Sequence, residues 1–180
     1  MKKSLKFSGL GLVILTISMM LTIRPVTPTN PQSKTVPTTH KEVMMPLTSA
    51  ELKRKPSLLI CSIIYYAINH LRIQRWQEVA DVKRGWQVDI YPHGATTQYL
   101  VWPDKKIKAA AKTLEPNWFE LTTTDHIKFH SYTVHSFQKA MTATTTLDQV
   151  VSQLNSERAA NRVRHLQNQL ILNTPRQAGN

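Results

Sequence analysis

Cysteine is almost missing from this chain: Cys61 stands alone, so no intrachain disulfide can form and no zinc site can be built on paired thiolates. Glycine is scarce too, with five residues in 180. Beyond the N-terminal apolar run only Gly85, Gly94 and Gly179 remain. Phosphate-cradling loops, the dinucleotide fingerprint and the G-x-S-x-G turn all need closely ordered glycines, and none of them is present. Acidic residues are few, 11 against 23 lysines and arginines. Glu78, Asp81, Asp89, Asp104, Glu115, Glu120 and Asp125 are scattered, without the local pairing that general acid–base work uses. No internal repeat is visible. These absences set the expectation of a chain that is not an enzyme and carries no cofactor and no metal.

What is present suits one modest domain with flanking segments, since 41% of the residues are apolar and 19% charged. MKKSLK (1–6) is a basic head, and FSGLGLVILTISMMLTI (Phe7–Ile23) carries no charge. Such a run spans roughly 25 Å at about 1.5 Å per residue, the lower limit for a helix crossing a bilayer core. No A-x-A-like cleavage site follows it, and the only cysteine lies too far downstream for a lipobox. The reading is an uncleaved single-pass transmembrane anchor (7–23), with a removed signal and a secreted product as the alternative. Lys2, Lys3 and Lys6 precede the run and Arg24 alone follows it closely. The positive-inside bias therefore puts the N-terminus in the cytoplasm and the rest outside. Residues 24–46, with five prolines and five threonines, read as an extended stalk.

The globular part is expected over 47–155. Thr48 and Glu51 have capping-box spacing, and Pro56 with Ser57 starts a second helix. SLLICSIIYYAINHL (Ser57–Leu71) is apolar on nearly every face. Too short to span a bilayer, it reads as a buried core helix, in which Cys61 is a small hydrophobe without a basic neighbour. Past Gly85 the period changes to two. WQVDIY, the turn PHGATT and QYLVW predict a hairpin, with Trp86 facing the core. KKIKAAAKTL (Lys105–Leu114) predicts one or two helical turns. PNWFEL, TTTD and HIKFHSYTVHS predict a second hairpin, with Trp118 facing inward, and the Thr-rich MTATTT is read as a loop before a helix from Leu147.

The order helix, two hairpins, helix predicts an α+β domain with an antiparallel sheet of about four strands, packed by the buried helix and a C-terminal helix. A small, partly open barrel is the alternative. Leu147, Val150, Val151 and Leu154 form one helical stripe, and Ala159, Val163, Leu166 and Leu170 a rotated one. The domain edge is therefore set near Asn155, with 156–180 as a basic amphipathic tail that packs on the domain, on a partner or on the membrane surface.

His126, His130 and His135 lie within ten positions. On a strand, His126 and His130 share a face but stand about 13 Å apart, while His135 points to the other face. Zinc needs its ligands at about 2.0–2.2 Å, so these residues read as imidazoles on a strand and not as a metal site. Titrating near pH 6.5, they are candidate pH-responsive groups that would raise the affinity for anions on acidification.

The basic excess is the stronger functional signal. Lys105, Lys106, Lys108 and Lys112 form one cluster and Arg158, Arg162 and Arg164 another; Lys53-Arg54-Lys55, Arg72 with Arg75, and Lys83-Arg84 add to the field. The first two clusters are the candidate anion- or partner-binding residues. Their partners would be an anionic wall polymer, lipid head groups or an envelope protein. Nucleic acid is the rival class if the domain faces the cytoplasm or serves DNA uptake or transfer, with Trp76, Trp86, Trp102 and Trp118 as the candidate stacking platform for a single strand. YLVWPDKKI, PNWFEL and IKFHSYTVHS, followed by a Thr-rich stretch and a helix, resemble in their order the small exported, lipoprotein-like proteins of lactobacilli and related Gram-positive bacteria. The similarity covers Ser57 to Asn155, and the chain departs from the lipoproteins among them by lacking the lipobox cysteine. The resemblance implies a cell-envelope location and adds no catalytic residue.

Overall fold

Pro56 opens the central helix because its missing N–H is one that no helix start needs. That helix, α2 (Pro56–His70), follows a short α1 (Ser49–Arg54), whose N-cap Thr48 accepts from the Glu51 N–H at 3.1 Å. A computed structural model of the chain describes residues 45–112, 117–131 and 141–175. Phe7–Ile23, the stalk up to 44 and His135 lie outside the described residues. Among the described residues no helix is long and apolar enough to cross a membrane.

After α2 and a 3-10 stretch (Gln74–Val79) come β1 (Trp86–His93) and β2 (Thr96–Trp102). Gly94, with φ +57°, makes their turn. β3 (Asn117–Thr122), β4 (His126–Ser131) and β5 (Met141–Thr146) follow, then α3 (Leu147–Ser156), α4 (Ala160–Leu166) and β6 (Leu170–Asn173). The strands form one sheet in the order β5-β4-β3-β2-β1-β6. Every pairing is antiparallel except β1 with β6, which is parallel.

The α+β class is as expected, but the sheet has six strands and is mixed, not four and antiparallel. Two readings account for the difference. MTATTT is not a loop: its β-branched threonines pair along the whole of β4, from Thr146 opposite His126 to Met141 opposite Ser131. Residues 156–175 are not a tail beyond the domain edge either. Ala159, Ala160, Val163 and Leu166 are buried in the common core, and Leu170–Asn173 adds a strand beside β1. The rotated apolar stripe marks a break between two core helices: Arg158 at φ +56° turns the chain, and Ala159 N–H reaches back to Leu154 O at 2.8 Å. In Lys105–Leu114 the described part holds one short helical turn, the 3-10 turn Ala109–Ala111.

One face of the sheet is covered by helices. Trp86, Val88, Val101, Phe119, Ile127 and Phe129 meet α2, α3 and α4 there. α2 is central to this layer, with Leu58 through Tyr65 buried without a break. That explains its lack of an amphipathic pattern. Burial pushes the Cys61 thiol up to about 12, so it is inert, as read. α3 starts on a capping box, Thr146 accepting from Gln149 N–H at 3.3 Å while the Gln149 side chain takes the Thr146 N–H at 3.0 Å. The alternate side chains, Gln87, Asp89, Tyr91, Leu100, Trp102, Trp118, Glu120 and His130, line the other face. Trp118 is therefore not a core residue: the register places it beside Leu100 and His130 on that outer side.

Candidate functional site

Aspartate at the head of a tight turn accepts the amide two residues on, and this chain does so twice at the same end of the sheet. Before β1, Asp81 Oδ1 accepts from the Lys83 N–H at 3.1 Å, and Arg84 N–H closes the turn on Asp81 O at 3.1 Å. After β2, Asp104 Oδ1 accepts from the Lys106 N–H at 2.8 Å, and Ile107 N–H closes on Asp104 O at 3.2 Å. Because β1 and β2 are neighbours, the two turns lie side by side. Lys105 N–H donates to Arg84 O at 3.2 Å, and the Arg84 guanidinium reaches Asp104 Oδ2 at 3.2 Å. The Lys106 amide and then Arg84 hold the Asp104 carboxyl below the usual range. Lys105 extends the stitch to the start of β6, donating to Gln169 Oε1 at 2.7 Å.

The result is a cationic end that gathers Lys83, Arg84, Lys105, Lys106 and Lys108 around the turn aspartates Asp81 and Asp104. Lys83, Lys106 and Lys108 are exposed there, and Lys106 lends its charge to Asp104. The sequence separates Lys83-Arg84 from the Lys105 cluster by some twenty positions, and only the hairpin brings them together.

The other predicted site residues have different tasks. Lys112 leaves the cluster: its Nζ sits 2.6 Å from Asp89 Oδ2 and 5.1 Å from the Trp102 ring centroid. Trp102 Nε1–H donates to the same oxygen at 2.8 Å, and Asn173 Nδ2 to Asp89 Oδ1 at 3.1 Å. With its amide oxygen turned toward Lys112, Gln87 donates to Ile107 O at 3.0 Å. Asp89 is thus a buried hub that ties the β2–β3 connection and β6 to β1. Sequence reasoning missed it because Asp89 alternates with core residues like any solvent-facing side chain, and its partners come from 13 to 84 positions away.

The arginines belong to the helix layer. Arg162 donates to the Tyr65 hydroxyl at 3.2 Å, and Arg164 to Met45 O at 2.7 Å and to Glu51 at 2.9 Å. The Arg164 hydrogen bond holds the Glu51 carboxyl below its usual range. Arg158, exposed at its left-handed turn, joins neither group.

His126 is exposed at the start of β4, next to Thr124. His130 stacks flat on Trp118 with ring centroids 4.6 Å apart, and its Nε2 lies 3.5 Å from Glu120 Oε2. Burial lowers its pKa despite Glu120, with Lys128 adding to the lowering. Acidification therefore does not charge this residue as readily as the sequence reading had it. The unfolded chain takes this proton first, so the contribution of His130 to stability is whole above about pH 6.5 and falls as pH drops through its lowered value. His130→Gln is expected to flatten the melting temperature against pH between neutrality and pH 5. Parallel curves for the two proteins would show that His130 contributes nothing to the slope.

Among the described residues no group of three His, Cys, Asp or Glu side chains is placed to hold a metal ion. Trp76 and Trp86 are fully buried in the core and Trp102 nearly so, so the four tryptophans form no stacking platform. No protein-family model, curated protein or solved structure matches this chain.

Proposed function

We propose that this protein is a membrane-anchored, extracytoplasmic, non-enzymatic domain that binds an anionic component of the cell envelope through the cationic end of its sheet. The observation that carries this reading is the backbone bond between Lys105 and Arg84, which holds two lysine-bearing turns together. A rigid cluster of ammonium groups attracts a polyanion at long range and asks for no particular shape. The apolar run Phe7–Ile23 supplies the anchor in this reading, and its outward orientation follows from the lysines ahead of it.

Lys106 and Lys108 are the residues to change, because both side chains are exposed at this end. Lys106→Glu/Lys108→Glu in the full chain is expected to weaken binding of inorganic polyphosphate by about tenfold or more. Raised salt should weaken wild-type binding likewise, since exposed charges are screened within about 8–10 Å near physiological ionic strength. Arg54→Glu on α1 serves as the control that changes net charge away from the site. Salt-independent binding, or equal losses in the control and the double variant, would overturn the assignment of the site.

A further inference from the structure

A carboxylate that touches an amine with one oxygen and a carboxamide with the other is placed to carry a proton from the first to the second. Asp89 stands in that position. Its Oδ2 lies 2.6 Å from Lys112 Nζ, and its Oδ1 accepts from Asn173 Nδ2 at 3.1 Å. With its amide oxygen turned toward them, Gln87 accepts from Lys112 Nζ at 3.3 Å and from the same Asn173 Nδ2. The amine and the carboxamide therefore share two neighbours, although one comes from the β2–β3 connection and the other from β6. Little water reaches the reacting groups. The Asp89 and Lys112 side chains are 6% and 17% exposed, and the Trp102 ring centroid is 5.1 Å from Nζ. A nucleophile, a proton carrier and a leaving group are thus in one contact set.

We infer that Lys112 and Asn173 join in an intramolecular isopeptide bond, with Asp89 as the proton carrier. The Lys112 ammonium gives a proton to Asp89 Oδ2, which frees the lone pair on Nζ. Nζ then adds to Cγ of Asn173 and the new C–N bond forms. Asp89 hands its proton to Nδ2 and takes a second one from Nζ. The carbonyl re-forms as the Cγ–Nδ2 bond breaks. Ammonia leaves with the remaining proton as ammonium, and Asp89 is again a carboxylate. No oxidant and no co-reactant enters. The bond ties the β2–β3 connection to β6, so that two segments held to β1 by hydrogen bonds and one ion pair become a closed covalent loop. In a chain with a single cysteine it is a staple that no reductant opens. The inference stands independently of the anionic partner proposed above.

The test is tryptic mapping by mass spectrometry of the full chain purified in detergent. Trypsin does not cut after an acylated lysine, so the expected product is residues 109–128 joined to residues 165–176. The joined peptide should be lighter than the sum of the two by one ammonia, about 17 Da. Lys112→Arg and Asn173→Ala should abolish it, and so should Asp89→Asn, which keeps the shape of the side chain without its carboxylate. Wild type decides on its own, whichever variant fails to fold. Complete cleavage after Lys112 in wild type overturns the inference and leaves Asp89, Lys112 and Asn173 as a hydrogen-bonded ion pair. Loss of ammonia from residues 165–176 alone, persisting in Lys112→Arg, overturns it too, because Asn173 then cyclises on its own backbone. Lys112 joined to Asp89 instead, with loss of water, about 18 Da, overturns the assignment of Asn173. A joined peptide that survives Asp89→Asn overturns the role of Asp89.

Discussion

Asp89→Ala is expected to destabilise the domain by about 3 kcal/mol, the cost of breaking a buried ion pair from one side. The loss is large because three donors depend on that carboxylate: Lys112 Nζ, Trp102 Nε1 and Asn173 Nδ2. The side chains of Asp89 and Lys112 are only 6% and 17% exposed, so water cannot readily replace the lost acceptor. Alanine leaves an ammonium group facing an indole and two amides with no counter-charge. For a domain of this size the change corresponds to a melting temperature lower by on the order of 10 °C. The companion variant decides the mechanism. Asp89→Leu/Lys112→Met removes both charges and keeps the volume, and it should cost less than Asp89→Ala alone, since the penalty lies in the orphaned charge and not in the missing attraction. Thermal melts of the two proteins settle the point: a double variant as unstable as the single one would show that Lys112 is hydrated after Asp89 is removed.

Gly85→Ala is expected to have an effect of similar size, for reasons of space and backbone. Gly85 has φ +70°, where an L side chain is strained by about 1–2 kcal/mol. An added Cβ would also meet the Gln169 carbonyl oxygen at 2.2 Å and the Gln169 carbon at 3.1 Å. Both neighbours include backbone, so relief requires β6 to move away from β1. The strand that begins at Leu170 opposite Trp86 would lose its register, and with it Lys105 would lose its Gln169 partner at the cationic end. Amide exchange should therefore show Leu170–Asn173 losing protection ahead of α2, alongside a lower global melting temperature. Gly94→Ala is the contrast: φ is +57°, but nothing stands within 4 Å of a new Cβ, so only the backbone strain applies. Equal effects at the two glycines would mean that the close approach to Gln169 is easily relieved.

Much of the domain was legible because local chemistry and tertiary packing agree there. Pro56 and the apolar run after it specify a buried helix, and the alternation in WQVDIY around the Gly94 turn specifies a hairpin with Trp86 inside. Thr146 and Gln149 mark the start of α3 by their spacing alone. Where the reading failed, pattern and environment part company. MTATTT shows no apolar alternation because it is an edge strand with few residues in the core, so its threonines looked like a loop. Leu170–Asn173 is too short to announce itself, and it is a strand only because Gly85 lets Gln169 approach β1.

The candidate site divides along the same line. The excess of lysine and arginine, the single inert thiol and the want of glycine-rich or paired-acid motifs follow from the sequence by itself, since charge and composition are independent of folding. Which cations stand together is a matter of tertiary structure. Lys83-Arg84 joins Lys105, Lys106 and Lys108 through the β1–β2 pairing, while Lys112 is drawn away to Asp89, and Arg162 and Arg164 turn to Tyr65, Met45 and Glu51. Charge is a property of residues, but a binding surface is a property of distances, and distances between remote segments are decided only when the sheet closes over its core.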